Sequence, residues 1–272
     1  RPPPPAPVPG PENSTEHDPV PDFESHQIVM GALAISNRPI LVGAVTDGPG
    51  KDERQTASMW WPPSSPQPTS TYHKRNLVPF GEWIPARSFF LPLIPVLGNI
   101  GRQSVPGTTP GVLDATIAGQ KVPVGVVVCF EVAHDGTVAD TVRHGAKILV
   151  VQSNNSSFID TAQTPQQWQI TRARAIETGR HIVVSTTNSF SGLVNPDGSV
   201  AVRTNEGGHT HFTVTMPLES GLTMGVRIAP RLRVIILVIA AGAIAVSLLQ
   251  RRRAMLAQAN HNRSERDVRH RH

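Results

Sequence analysis

Lys121-Val-Pro-Val-Gly-Val-Val-Val-Cys129-Phe-Glu131 is a Val-rich run that ends on the only cysteine of the chain. Short, β-branched and bounded by turn signals, it reads as a buried strand. Other stretches take the same form. Residues 39–45 and 58–61 read as strands, as do 146–152 and 181–186. The segment 193–202 reads as a hairpin around Pro196-Asp-Gly198, and 209–216 as a last strand. Helical patterns lie between them at 18–36, 137–144 and 164–179, the last with Pro165 in its first turn and Gly179 at its end. Strands alternating with helices predict an α/β layered fold. The apolar stretch 88–100 is broken by Pro92 and Pro95, so it is expected to be neither a good helix nor a central strand.

A second run sets the compartment. Residues 234–249 carry no charge, with Arg231 and Arg233 before them and Arg251 to Arg253 after. Sixteen helical residues span roughly 24 Å at 1.5 Å each. That is short of a hydrocarbon core of about 30 Å, and snorkelling arginines close the difference. The alternative is a buried core helix; the bracketing arginines favour a membrane span over it. The 22 residues from Arg251 hold seven arginines against one Glu and one Asp, and account for the net charge of +5. Next to a span, such a tail suits anionic lipid rather than nucleic acid, and it is expected on the cytoplasmic side with the larger domain outside the cytoplasm. Arg1 to Gly10 is nearly all proline and reads as extended polyproline, not as core. No apolar leader precedes it, so the chain is expected to be an incomplete copy of something longer.

Cysteine usage excludes an intrachain disulfide. A lone cysteine can be a small buried hydrophobe. Here it stands where a strand meets a loop, followed at once by an acidic residue, which is where α/β enzymes place a nucleophile. Two other segments add to it. Pro11-Glu12-Asn13-Ser14 offers a carboxylate, and Tyr72-His-Lys74-Arg-Asn-Leu-Val-Pro-Phe-Gly-Glu82 a lysine and a second carboxylate. Taken singly, each has a duller reading: Lys74, Arg75 and Glu82 as solvated charges, Glu12 as a helix N-terminal acid, Phe89-Phe-Leu as core. Glu177 and Arg180 read as a structural ion pair. The histidines lack acidic or cysteine partners at ligand spacing, so no metal and no cofactor is expected.

Glu, Lys and Cys in this chain order resemble the catalytic set of the carbon–nitrogen hydrolase (nitrilase) superfamily. Within it, Lys74 with Leu77-Val-Pro-Phe-Gly-Glu82 resembles apolipoprotein N-acyltransferase, and Pro11-Glu12-Asn13-Ser14 looks like the actinobacterial form of its glutamate motif. Residues 166–180 resemble the helix that follows the family's nucleophile strand. The resemblance implies a nitrilase-like α-β-β-α sandwich over residues 11–225, a transmembrane helix at 230–250 and a basic tail at 251–272. It also implies that Cys129 attacks a phospholipid acyl ester to form a thioester, and that the α-amine of a diacylglyceryl-cysteine apolipoprotein then takes the acyl chain. A thiol of pKa about 8.5 needs a base or cation beside it. In this reading Glu12 takes the proton and Lys74 stabilises thiolate and oxyanion. Glu82 holds Lys74, and Glu131 orients the acceptor or braces the elbow. Trp83, Phe89, Phe90 and Phe130 would line the acyl site and keep water from the thioester. The enzyme is expected to be a monomer in the cell membrane that binds no nucleic acid.

Three departures from the family stand out. The proline run replaces an apolar strand ahead of Glu12, and the upstream bundle of membrane helices is absent. Phe130 stands where an aromatic with a hydroxyl is common. The competing readings are a membrane-anchored amidase or nitrilase that hydrolyses a small C–N substrate, and an inactive remnant that binds lipid.

Overall fold

A computed structural model of the chain describes residues 8–9, 22–63, 65–207 and 210–269. The first sheet contains β1 (Val8–Pro9), then β2 (Ile40–Asp47) after helix α1 (Asp22–Ser36), then β3 (Glu53–Trp61) and β4 (Ser70–His73). They lie in the order β1-β2-β3-β4, and after α2 (Arg87–Leu93) a short strand β5 (Gln103–Ser104) pairs parallel with β3. The second sheet starts with the hairpin of β6 (Val112–Ile117) and β7 (Gln120–Val128), turned by Ala118 and Gly119, both at positive φ. Such a two-residue turn matches the twist of the strands it joins. After α3 (Asp135–Arg143) comes β8 (Ile148–Ser153), and after α4 (Gln163–Thr178) come β9 (Ile182–Thr186), β10 (Gly192–Val194) and β11 (Val200–Arg203). The order is β11-β10-β9-β8-β7-β6, with β7, β8 and β9 parallel.

Alternation along the parallel strands shows why the apolar runs are unbroken. Val126, Val128, Val150, Val183 and Leu193 point inward, where they meet Leu41, Trp60 and Tyr72 of the first sheet. Val127, Leu149, Val151, Ile182 and Val184 point outward, against Val138, Val142, Trp168 and Ala175 of α3 and α4. A strand covered on both faces has no position for a polar residue. Two polar side chains nonetheless cross the inner layer: Ser58 Oγ on β3 donates to Gln152 Oε1 on β8 at 2.6 Å, both fully buried. Buried groups of this kind are tolerated when partnered.

Three expectations change. The proline-rich start is not wholly outside the sheet, since Val8 and Pro9 pair parallel with Ile40 and Leu41. An edge is where a sheet accepts a proline, whose missing N–H breaks no ladder there. The stretch 88–100 is helical after all, as α2 and then a 3₁₀ helix Pro95–Ile100. With only seven residues, α2 loses one hydrogen bond to Pro92, and Pro95 sits where a helix start needs no N–H. Residues 210–216 form no strand, although Val214 and Met216 pack into the inner layer; an extended chain keeps the period of two without a ladder. His209 lies outside the described residues.

The chain divides into two units, one through Val226 and one from Arg227. Helix α5 (Met224–Arg269) begins in the first, with Val226 buried in the outer core. Its stretch Val234–Arg253 is long and apolar enough to cross a membrane, and none of it is buried.

Candidate active site

Cys129 follows the last residue of β7 and opens a 3₁₀ helix, Cys129–Ala133. Its φ is +50°. A side chain in this left-handed region costs about 1–2 kcal/mol, and such strain gathers at functional sites when the surroundings over-determine it. The turn lifts the thiol out of the strand ladder at the carboxyl end of the parallel strands, where open α/β sheets hold their ligands.

Lys74 comes from the other sheet, immediately after β4. Its side chain is 2% exposed, and Nζ lies 2.8 Å from Glu82 Oε1. Glu82 Oε2 accepts the Val78 amide at 2.6 Å, which closes the loop on itself and holds the carboxylate toward the lysine. A lysine this deep needs an anion to remain charged.

Glu131 connects the two. It is fully buried. One carboxylate oxygen accepts the Tyr72 hydroxyl at 2.8 Å and the amides of Arg75 and Asn76 at 2.7 and 3.1 Å. The other accepts the Val128 amide at 2.9 Å. The residues that flank Lys74 are thereby bonded to the residue two beyond Cys129. Burial, and after it the charge of Glu131, pushes the Tyr72 phenol far above its ordinary value, so it stays a donor. Arg75 pairs with Asp140 of α3 at 2.8 Å, and the Thr137 hydroxyl donates to Asn76, so the lysine loop is also docked on a helix. Of the two tasks expected of Glu131, this geometry fits bracing. Burial lowers the pKa of the neighbouring His73 from its ordinary 6.5, and the imidazole stays neutral.

Three of the residues expected to line the acyl site, Trp83, Phe89 and Phe90, lie close together in sequence. Phe89 and Phe90 stack edge to face at 5.0 Å, and Phe80 adds to them at 5.5 Å from Phe90. Trp83 belongs to the same loop, its carbonyl accepting the Phe80 amide at 2.8 Å. Phe130 packs edge to face with His134 at 5.0 Å. Phe89, Leu93, Ile94 and Val96 are exposed, and no residue of α2 is buried. Glu12 lies outside the described residues. The expected Glu177–Arg180 pair is not formed: Glu177 pairs with Arg174, and Arg180 donates to the carbonyls of Ala146 and Gly221. Among the described residues no group of His, Cys, Asp and Glu is arranged to hold a metal.

Residues 31–221, more than half of the chain, match the carbon-nitrogen hydrolase family. The chain belongs to that family. Apolipoprotein N-acyltransferase of Mycolicibacterium smegmatis is 34% identical to it over 245 residues, 88% of this chain and 40% of that protein. The protein of the same name from Gloeobacter violaceus is 32% identical over 160 residues, 57% of this chain and 29% of its own length. The chain thus spans less than half the length of these curated relatives. Among solved structures, Saccharomyces cerevisiae Nit3, a member of the nitrilase superfamily, superposes with a TM-score of 0.51 at 14% identity, covering 74% of this chain and 65% of that one. An amidase from Nesterenkonia sp. gives 0.50 at 16%, covering 68% and 63%. The carbon-nitrogen hydrolase domain therefore has the nitrilase-like sandwich expected from the sequence.

Tyr72, Arg75, Asn76, Thr137 and Asp140 had no expected role. Their signal was available only in part. Tyr72 to Asn76 flank the lysine in the motif, but Thr137 and Asp140 are ordinary polar residues of a short helix.

Proposed function

We propose that this carbon-nitrogen hydrolase is an N-acyltransferase that moves a fatty acyl chain from a phospholipid to the α-amine of a diacylglyceryl-cysteine apolipoprotein. The observation that carries the reading is the pairing of a left-handed cysteine elbow with the Lys74–Glu82 ion pair through Glu131. The Cys129 thiolate adds to the ester carbonyl of the phospholipid. Lys74 stabilises the oxyanion, the C–O bond breaks, and a proton from the general acid leaves with the lysophospholipid alcohol. Glu12 is the base and acid in this scheme. The acceptor amine then attacks the thioester, the C–S bond breaks, and the amide forms with return of the thiol.

Acyl transfer to an amine, rather than hydrolysis, needs water kept away from the thioester. The exposed aromatic and aliphatic side chains of α2 and the following 3₁₀ helix support this reading. So large an apolar surface on the loop that carries Glu82 suits burial in a lipid interface. Helix α5 would anchor the domain, with Arg251 to Arg253 at the cytoplasmic headgroups and the catalytic domain on the opposite side. We take the enzyme to act as a monomer.

Intact mass of the purified chain after incubation with phospholipid vesicles tests the reading, because the only thiol is Cys129. An acyl adduct that hydroxylamine removes, absent from Cys129→Ala, is expected. Folded protein that acquires no adduct would overturn it.

A further inference from the structure

The elbow has a second support, at the far end of its 3₁₀ helix. A 3₁₀ helix of five residues satisfies few of its own carbonyls, and those at its end need outside donors. Arg174, on α4, supplies them. Its Nε donates to the Val132 carbonyl at 2.9 Å and its Nη2 to the Ala133 carbonyl at 3.0 Å. Nη1 is bonded to Glu177, one turn along the same helix, which orients the fork. The side chain is 16% exposed, so these bonds are largely shielded from water. Helix α4 is a firm base for it, with Trp168, Thr171, Ala175 and Thr178 buried.

We propose that Arg174 is a positioning residue for Cys129. The strained residue lies between two clamps. Glu131 holds the amide of Val128 just before it, and Arg174 holds the carbonyls of Val132 and Ala133 just after it. Either clamp alone leaves one end of the turn able to relax toward an unstrained φ, and the thiol would swing with it. Arg174 acts through the backbone and not on the reacting atoms. A lysine at this position could bond one carbonyl but not grip two at fixed angles, because only the guanidinium is a planar fork. This inference rests on Cys129 being the nucleophile.

The test compares the full chain with Arg174→Gln, Arg174→Lys and Arg172→Gln. Arg172 is the control: it lies on the same helix and donates to the Gly198 carbonyl at 2.8 Å, in the β10–β11 hairpin. Two readouts are taken, the rate of Cys129 alkylation by iodoacetamide across pH and the yield of thioester from phospholipid vesicles. Misplacement of a reacting group by about 1 Å costs up to 10²-fold. Arg174→Gln is expected to lower the alkaline plateau of alkylation roughly tenfold or more by the same reasoning. Arg174→Lys should fall between it and the parent, and serves as the test if the Gln variant does not fold. Arg172→Gln should melt earlier yet keep the parental plateau. A parental plateau in a folded Arg174 variant, or an equal loss in Arg172→Gln, overturns the proposal. A loss of plateau in Arg174→Gln, from a parent that forms no thioester, supports the positioning role and sinks the acyltransfer reading instead.

Discussion

Replacing Glu131 by glutamine isolates the charge at the centre of the site. The carboxylate accepts four hydrogen bonds, three on one oxygen and one on the other. Bonds to a charged group contribute about 1.5–3 kcal/mol each against about 0.5–1.5 for neutral ones. Glutamine keeps an oxygen for Tyr72, Arg75 and Asn76, at roughly 1 kcal/mol less per bond by that comparison. Its amide then faces the Val128 N–H, two donors with no acceptor between them, which costs about 1–3 kcal/mol more. Relief from burying a charge offsets part of this. The net loss is about 2–4 kcal/mol, which for a domain near 200 residues lowers the melting temperature by about 5–15 °C. Thermal unfolding followed by circular dichroism, with Tyr72→Phe alongside, measures it. Tyr72→Phe removes one donor and leaves the others in place, so it should cost less than half as much. A glutamine variant that melts within about 2 °C of the parent would refute the reasoning, since four bonds cannot then converge on a carboxylate.

Acid should destabilise the domain through His73. Its folded pKa lies below 6.5, so the unfolded chain binds the proton first and stability falls as pH drops below about 6.5. The stability of the parent relative to His73→Gln should therefore be highest at alkaline pH and fall as the pH drops below about 6.5; a pH-independent difference would count against a half-buried neutral imidazole. Gly125→Ala would bring a methyl group closest to Leu149 Cδ2 on β8 and within 2.8 Å of Ala146 Cβ and 2.9 Å of Thr141 Cγ2. Overpacking of this kind costs about 1–3 kcal/mol, so the urea midpoint should drop while the m-value holds; an unchanged midpoint would mean that the Leu149 side chain and its neighbours yield freely. Phe89→Ser with Leu93→Ser should reduce acylation from phospholipid vesicles while leaving alkylation by iodoacetamide at the parental rate. Equal loss of both would show that α2 supports the fold and not the lipid encounter.

The parallel strands and the Lys74–Glu82 pairing were legible because each leaves a local signature. Val122 to Val128 is apolar at every position, and Lys74 to Glu82 is compact in sequence. The hairpin at Ala118-Gly119 was not, since Ala118 stands where the usual signal has Asn or Asp before the glycine. Leu113 and Ala115 do alternate with exposed Asp114 and Thr116, a pattern too short to announce a strand without its turn. The helical pairing was misjudged for a different reason. Glu177 can reach Arg174 or Arg180 from the helix, and only the carbonyls at Ala146 and Gly221 decide that Arg180 turns elsewhere. Long-range partners of that sort, like Asp140 for Arg75, have no trace in the spacing of residues along the chain.

Lys74 and Cys129 stand on different sheets, and nothing covalent near either sets their separation. Their alignment is therefore set by how two slabs are stacked, together with the Glu131 bonds that tie the lysine loop to the elbow. The bond from Ser58 to Gln152 acts as a dowel between those slabs, since apolar side chains resist separation far better than they resist sliding. A shear of even part of a residue repeat at that layer would carry the lysine past the thiol while every strand stayed paired. Substitutions deep in the sandwich, remote from Cys129, should accordingly abolish the proposed acyl transfer at temperatures where the circular dichroism still looks native.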